Sequence, residues 1–107
     1  MKYTEAERQF IREAEGYGWI THRNGWPDFL LRKRGTKKYV CVEVKNKSTE
    51  KLRIKQWEML SCLKEATGMP IFVYWPKNGK IEEVRGPNQR KIRVRGKHLG
   101  TLLSLYG

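Results

Sequence analysis

The stretch KYVCVEVK, residues 38–45, decides the fold. In an extended chain successive side chains point to opposite faces, so Val40, Val42 and Val44 share one face. Tyr39, Cys41, Glu43 and Lys45 share the other. Apolar residues on both faces predict a central strand covered on both sides. A glutamate and a lysine inside such a strand need a reason. A second oddity lies fifteen residues upstream of Glu43, where Asp28, the only aspartate of the chain, directly follows Pro27.

The flanking sequence builds an α-β-β-β-α-β order around this strand. Thr4-Glu5-Ala6-Glu7 has the spacing of a capping box and predicts a helix from there to Gly16, whose flexibility suits a C-cap. Tyr3, Phe10, Ile11 and Ala14 form the apolar stripe of that helix, and Glu7 lies on it. Trp19 to His22 and Asp28 to Arg32 read as strands separated by Gly25-Trp26-Pro27, with a turn at Arg34-Gly35-Thr36. After a polar connection at Asn46–Lys51, a second helix is expected from Leu52 to Ala66. Its stripe is Leu52, Met59, Leu60 and Leu63, with Gln56 among them. Ile71 to Trp75 is a further apolar strand. A turn at Pro76–Gly79 leads to an expected edge strand at 81–85, then to an alternating stretch, Arg90 to Arg95, and a short apolar piece, Leu99 to Tyr106. The expected class is an α/β (α+β) mixed sheet with helices packed against it.

The 107 residues suit one domain, spanning 1–107, with a core at about 4–75 and a basic C-terminal extension at about 76–107. No apolar run approaches a membrane span, and the N-terminus lacks the hydrophobic region of a secretory signal, so a cytoplasmic or nuclear setting without a membrane partner is expected. Cys41 and Cys62 have neither disulfide-framework nor zinc-site spacing and are expected to be reduced, mostly buried thiols. The decisive bulk property is charge. Twenty-three Lys and Arg against eleven acids give a net +12, a field that concentrates polyanions, above all nucleic acid.

Four polar residues therefore point toward the core: Glu7, Asp28, Glu43 and Lys45, with Gln56 a possible fifth. Buried charges are costly unless paired or metal-bound. Two neighbouring carboxylates repel and rise in pKa unless a cation shares them. A Mg²⁺ ion meets that need with oxygen ligands, and a phosphodiester oxygen can complete its shell. Lys45, on the strand face of Glu43, can orient a water or steady the pentavalent phosphorus. Basic surface plus metal-binding acids suggests phosphodiester hydrolysis.

P-D, fourteen residues, then E-V-K resembles the PD-(D/E)XK nuclease superfamily. Gly25-Trp26-Pro27-Asp28, Glu43-Val44-Lys45 and Gln56 opening the next helix look most like its VRR-NUC group. Ala6-Glu7-Arg8 and Gly18-Trp19 also look like archaeal Holliday junction resolvases. The resemblance covers about residues 4–75. It implies a restriction-endonuclease-like αβββαβ core and Mg²⁺- or Mn²⁺-dependent cleavage leaving 5′-phosphate and 3′-hydroxyl ends. It further implies metal ligation by Asp28, Glu43 and the Val44 backbone carbonyl, a catalytic Lys45, Glu7 orienting a metal-bound water, and Gln56 in support. Branched DNA such as four-way junctions is the implied substrate and a homodimer the implied assembly, since resolving a junction takes two symmetric nicks. Compact nucleases of this type occur in phages and mobile elements.

Simpler readings exist for each residue. Asp28 could cap a turn after Pro27, and Glu43 and Lys45 could pair across strands. Glu7 could serve only the capping box, leaving Glu5, on the polar face, as the alternative helix-borne acid. Gln56 could be an ordinary helix residue. His22 and His98 lack nuclease spacing, and Trp19, Trp57 and Trp75 suit core or rim better than base stacking, with Trp26 the exception. Arg85, Arg90, Lys91, Arg93, Arg95 and Lys97 form an acid-free cationic stretch suited to phosphate contacts or to guarding an edge strand. Lys33, Arg34, Lys37 and Lys38 form a second, more ambiguous cluster. The rival functions are a sequence-specific restriction or homing endonuclease of the same fold and a non-catalytic nucleic-acid-binding protein.

Overall fold

A computed structural model describes residues 3–85 apart from 24, 26 and 48, together with 92, 93 and 99. The element order is α1 (Glu5–Gly16), β1 (Trp19–Arg23), β2 (Phe29–Lys33), β3 (Tyr39–Val44), α2 (Ile54–Thr67), β4 (Ile71–Trp75), β5 (Lys80–Glu83) and β6 (Ile92–Arg93). The strands form one mixed sheet in sequential order. β1, β2 and β3 pair antiparallel, β3 and β4 run parallel, and β5 and β6 continue antiparallel. The β3–β4 pair needs a crossover, and α2 supplies it.

β3 is central, as its two apolar faces require. Val40, Val42 and Val44 join Phe10 and Ala14 of α1, Trp19, Phe29, Leu31, Phe72 and Tyr74 in one core cluster. On the opposite face Cys41 joins Leu60 of α2, Ile71, Val73 and Trp75 in a second. The period of two thus sends alternate residues of one strand into two cores.

Sequence expectations and structure part at five points. α1 runs through Gly16 and is C-capped by Tyr17, and it is Gly18, at φ +88°, that turns the chain toward β1. α2 begins two residues later than expected, at Ile54, with Leu52 packing onto the second core from outside the helix. Met59 is 59% exposed, because the face of α2 that meets the sheet centres on Leu60 and buried Ser61. Cys62, one step further round, is likewise exposed rather than buried. β5 pairs with β6, so it is not an edge strand. Within the basic extension only Arg85, Ile92, Arg93 and Leu99 from the expected elements are described; Arg90, Lys91, Arg95, Lys97 and the rest of Leu99–Tyr106 lie outside the described residues, as does Trp26. No helix among the described residues is long and apolar enough to cross a membrane.

Candidate active site

The site forms at one end of the sheet, where β2 begins and β3 ends. The antiparallel register pairs Phe29 with Val42, which sets Asp28, just before β2, beside Glu43 and Val44. Two reciprocal bonds lock them. The Asp28 backbone N–H donates to Glu43 Oε1 at 3.0 Å, and the Val44 N–H donates to Asp28 Oδ2 at 2.8 Å. Each carboxylate is thus aimed by the backbone of the other strand. Pro27, which has no N–H to give, precedes the residue whose N–H makes the contact.

Both carboxyls are pushed above the ordinary carboxylate range, chiefly by burial. Glu43, 4% exposed, rises to about 7, first because it is desolvated and then because Asp28 adds like charge. For Asp28 burial is again the main cause, opposed by the Val44 N–H and aggravated by the charge of Glu7. Such a pair favours one shared proton or one shared cation.

Lys45 follows on the α2 side of β3 and is 4% exposed. Its ammonium lies 3.2 Å from Gln56 Oε1 and 3.7 Å from both Glu43 Oε2 and Glu50 Oε2. One hydrogen bond and two flanking carboxylates explain how a lysine is buried here. Gln56 does two jobs, since the same oxygen accepts the Arg53 N–H at 3.2 Å at the start of α2.

Glu7 sits on the other helix. Its Oε1 accepts the Thr4 N–H at 2.9 Å while Thr4 Oγ1 accepts the Glu7 N–H at 3.1 Å, which completes the capping box. Its second oxygen is ion-paired with Arg23 Nη1. Arg23 in turn lies over the rings of Tyr3 and Phe29, at 5.3 and 5.6 Å from their centroids. Glu7 is therefore near enough to raise Asp28, but both its oxygens have partners within the chain.

Two site residues escaped the sequence reading. Arg23 ends β1, and its partner lies sixteen positions away on a helix; the available hint was that a buried Glu7 must find a cation. Glu50 was passed over in a polar connection. The hint there was that it is the one acid among Lys47, Lys51, Arg53 and Lys55. Glu50 also accepts the Asn46 N–H at 3.1 Å through its side chain and the Trp75 indole N–H at 2.6 Å through its carbonyl, so it ties the β3–α2 connection to both strands.

A hard divalent cation held by one or two carboxylates and a substrate phosphate fits Asp28 and Glu43. Among the described residues no group of three or more His, Cys, Asp and Glu could hold an ion, so Asp28 and Glu43 lack a third such side-chain ligand there, a place that a backbone oxygen such as the Val44 carbonyl would fill. His22 is exposed. Arg85 is also exposed and bonds to Glu83 Oε1 at 3.3 Å.

No family model matches the chain, and no curated protein matches it in sequence. Among solved structures, Hjc of Archaeoglobus fulgidus, a Holliday junction resolvase from an archaeal hyperthermophile, superposes with a TM-score of 0.62. The match covers 97% of this chain and 100% of that one at 15% identity. The chain has the Hjc fold. That likeness bears out the expected restriction-endonuclease-like mixed α+β architecture.

Proposed function

We propose that this protein is a Mg²⁺-dependent endodeoxyribonuclease of the PD-(D/E)XK type, with Mn²⁺ as a substitute, acting on branched DNA such as four-way junctions. The observation that carries the reading is the Asp28–Glu43 lock, which sets a half-buried and a buried carboxyl, mutually repelling, beside a buried lysine. A stable fold has no need of that arrangement, and a phosphodiesterase does. The net charge of +12 supports a polyanionic substrate. The fold of a Holliday junction resolvase supports a branched one. The VRR-NUC likeness rests on Gly25–Asp28, Glu43–Lys45 and Gln56.

In this reading Asp28, Glu43 and the Val44 carbonyl hold the cation, which when bound supplies positive charge at the phosphate and lowers the pKa of water. Lys45 places its ammonium where negative charge grows on the phosphoryl oxygens. Gln56 and Glu50 keep that ammonium in register. Glu7, bridged to Arg23, adds negative charge near Asp28, and it would orient a metal-bound water only through a lone pair left over from its bonds to Thr4 and Arg23. A water oxygen bonds to phosphorus as it gives up a proton to solvent, the P–O3′ bond breaks, and the departing 3′-oxygen takes up a proton, leaving a 5′-phosphate and a 3′-hydroxyl. Paired nicks across a junction call for a homodimer, with one site on each side of the two-fold axis.

The test is a panel of four-way junction, flap, nicked duplex, plain duplex and single strand, each with Mg²⁺ and with EDTA. Cleavage of the junction that stops in EDTA, and in Asp28→Ala, Glu43→Ala and Lys45→Ala while binding persists, is the expected result. Binding by the unaltered chain without cleavage of any substrate would establish the non-catalytic reading. Cutting of linear duplex at one sequence would establish a restriction or homing type of activity.

A further inference from the structure

Lys47, Lys51, Arg53 and Lys55 fall within nine residues that connect β3 to the first turn of α2, and all four are exposed. The same segment contains one acid, Glu50, whose side chain is 39% exposed and engages Lys45 and the Asn46 N–H. The connection therefore presents four exposed cations against one acid that is already engaged by Lys45. None of the four side chains is ion-paired with a described residue. Ile54, between Arg53 and Lys55, is 76% exposed, so this turn stands clear of the sheet.

Stability does not explain the arrangement. Cations at a helix N-terminus oppose its macrodipole, and α2 has no acid in its first turn to offset them. The segment is also anchored to the site through hydrogen bonds and an ion pair. Gln56 accepts from both Lys45 Nζ and the Arg53 N–H, and Glu50 lies 3.7 Å from Lys45 Nζ. The four charges thus belong to the segment that borders the site on the side of Lys45.

We propose that the β3–α2 connection, through Lys47, Lys51, Arg53 and Lys55, is the surface that grips the phosphodiester backbone of the nucleic acid held at the site. The inference rests on the nuclease reading for its substrate class, but its test does not use cleavage. It also separates this cluster from the one at Arg34, Lys37 and Lys38. That cluster lies at the opposite end of β3, about 17 Å from Glu43 at the usual rise per residue, and Lys33 beside it is spent on the Tyr17 carbonyl and the Trp19 ring.

The experiment measures binding of the full chain to a fluorescent four-way junction and to plain duplex in EDTA, from 50 to 300 mM salt. Each lost phosphate contact flattens the slope of log K against log salt by about 0.9. The quadruple variant Lys47→Gln, Lys51→Gln, Arg53→Gln and Lys55→Gln is expected to flatten it by about 3 to 4, and the pair Arg53→Gln and Lys55→Gln by about half of that. The control pair Arg34→Gln and Lys37→Gln is expected to leave the slope unchanged. An unchanged slope in the quadruple variant, with its circular dichroism and melting intact, overturns the proposal. An equal loss per charge in the control also overturns it, since that is general attraction and not a surface. A misfolded quadruple variant transfers the decision to the double one. Flattening in a chain that never cleaves supports this surface and defeats the nuclease reading; cleavage with an unchanged slope does the reverse.

Discussion

The two helices cover the same sheet from opposite sides, and their N-termini are built by opposite rules. α1 starts from Thr4 with a complete capping box and carries Glu5 and Glu7 in its first turn. α2 starts from Arg53, whose side chain has no acceptor to offer the first-turn N–H groups, and its first turn has no acid. α1 buries Ala6, Phe10 and Ala14, whereas α2 leaves Ile54 and Met59 in water. An open groove of about 520 Å³ runs along α2, lined by Leu30, Met59, Cys62 and Leu63 among others. The α1 side obeys local preference throughout and holds the fold. The α2 side departs from it where Lys45, Gln56 and the exposed cations meet. Such departures concentrate at working sites.

The largest expected effect tests the first half of this contrast. Phe10 is fully buried, with its ring centroid 5.1 Å from that of Phe29 and 5.9 Å from that of Tyr74. Phe10→Ala should lower unfolding stability by about 3–5 kcal/mol in denaturant melts. Met59→Ala, on the exposed face of α2, should change it by less than about 0.5 kcal/mol. Comparable losses from the two would erase the distinction between the sides.

Lys45→Met sharpens the other half. The ammonium is buried, but its neighbour Glu43 can take up a proton once the cation has gone, so no isolated charge need remain. Replacing a buried ion with an apolar side chain of similar length is then expected to cost little stability. Single-turnover cleavage should fall by about 10²–10³-fold, the usual cost of removing one donor to developing charge. A variant that unfolds, or one that cuts at the normal rate, would place Lys45 among structural residues.

Legibility in the sequence follows how local the physics is. Alternation within residues 38–45 was enough to find β3, its two cores and the inward Glu43, because a strand's faces are fixed by neighbouring residues. Helix periodicity was likewise enough to bring Glu7 and Gln56 to buried or half-buried positions. The partners of these residues were a different matter. That Glu7 meets Arg23, and that Lys45 is shared by Glu43, Glu50 and Gln56, depends on how helices and a loop dock on the sheet. No sequence spacing encodes that docking. Met59 fell on the wrong side of α2 for the same reason. With apolar residues on several faces of the helix, only the seating on Leu60 and Ser61 chooses one.

The acid pair makes the contrast depend on pH. Glu43 holds its proton up to about pH 7 in the folded chain, above its ordinary value of 4.5, and Asp28 is raised in the same direction. Between those two pH values the folded state binds more protons than the unfolded one, so stability falls as pH rises through the window. Thermal melts in EDTA should therefore decline from about pH 4.5 to 7. Glu43→Gln should flatten most of that decline. A divalent cation competes with the proton, so Mg²⁺ should raise the melting temperature more at pH 8 than at pH 5. A melt that rises across this window in EDTA would mean the carboxyls are stabilised as anions, without need of a metal.

The smallest effect is the one that ties the two helix ends together. Arg53→Asp gives α2 the acceptor that α1 has in Thr4 and turns an unfavourable charge at the helix N-terminus into a favourable one. Each change is worth a fraction of a kilocalorie to about 1 kcal/mol, so the variant should be more stable by about 1 kcal/mol. Thr4→Ala, which removes the cap from α1, should be less stable by a similar amount. If the α2 end is open because it faces phosphate, the stabilised Arg53→Asp chain must bind DNA more weakly and with a flatter salt dependence. Gln56 still accepts the N–H of residue 53 in that variant, so Lys45 keeps its partner and cleavage of saturating DNA should change little. Gained stability with undiminished affinity would leave the open end of α2 as an unoptimised terminus, and the difference between the two helices would then carry no function.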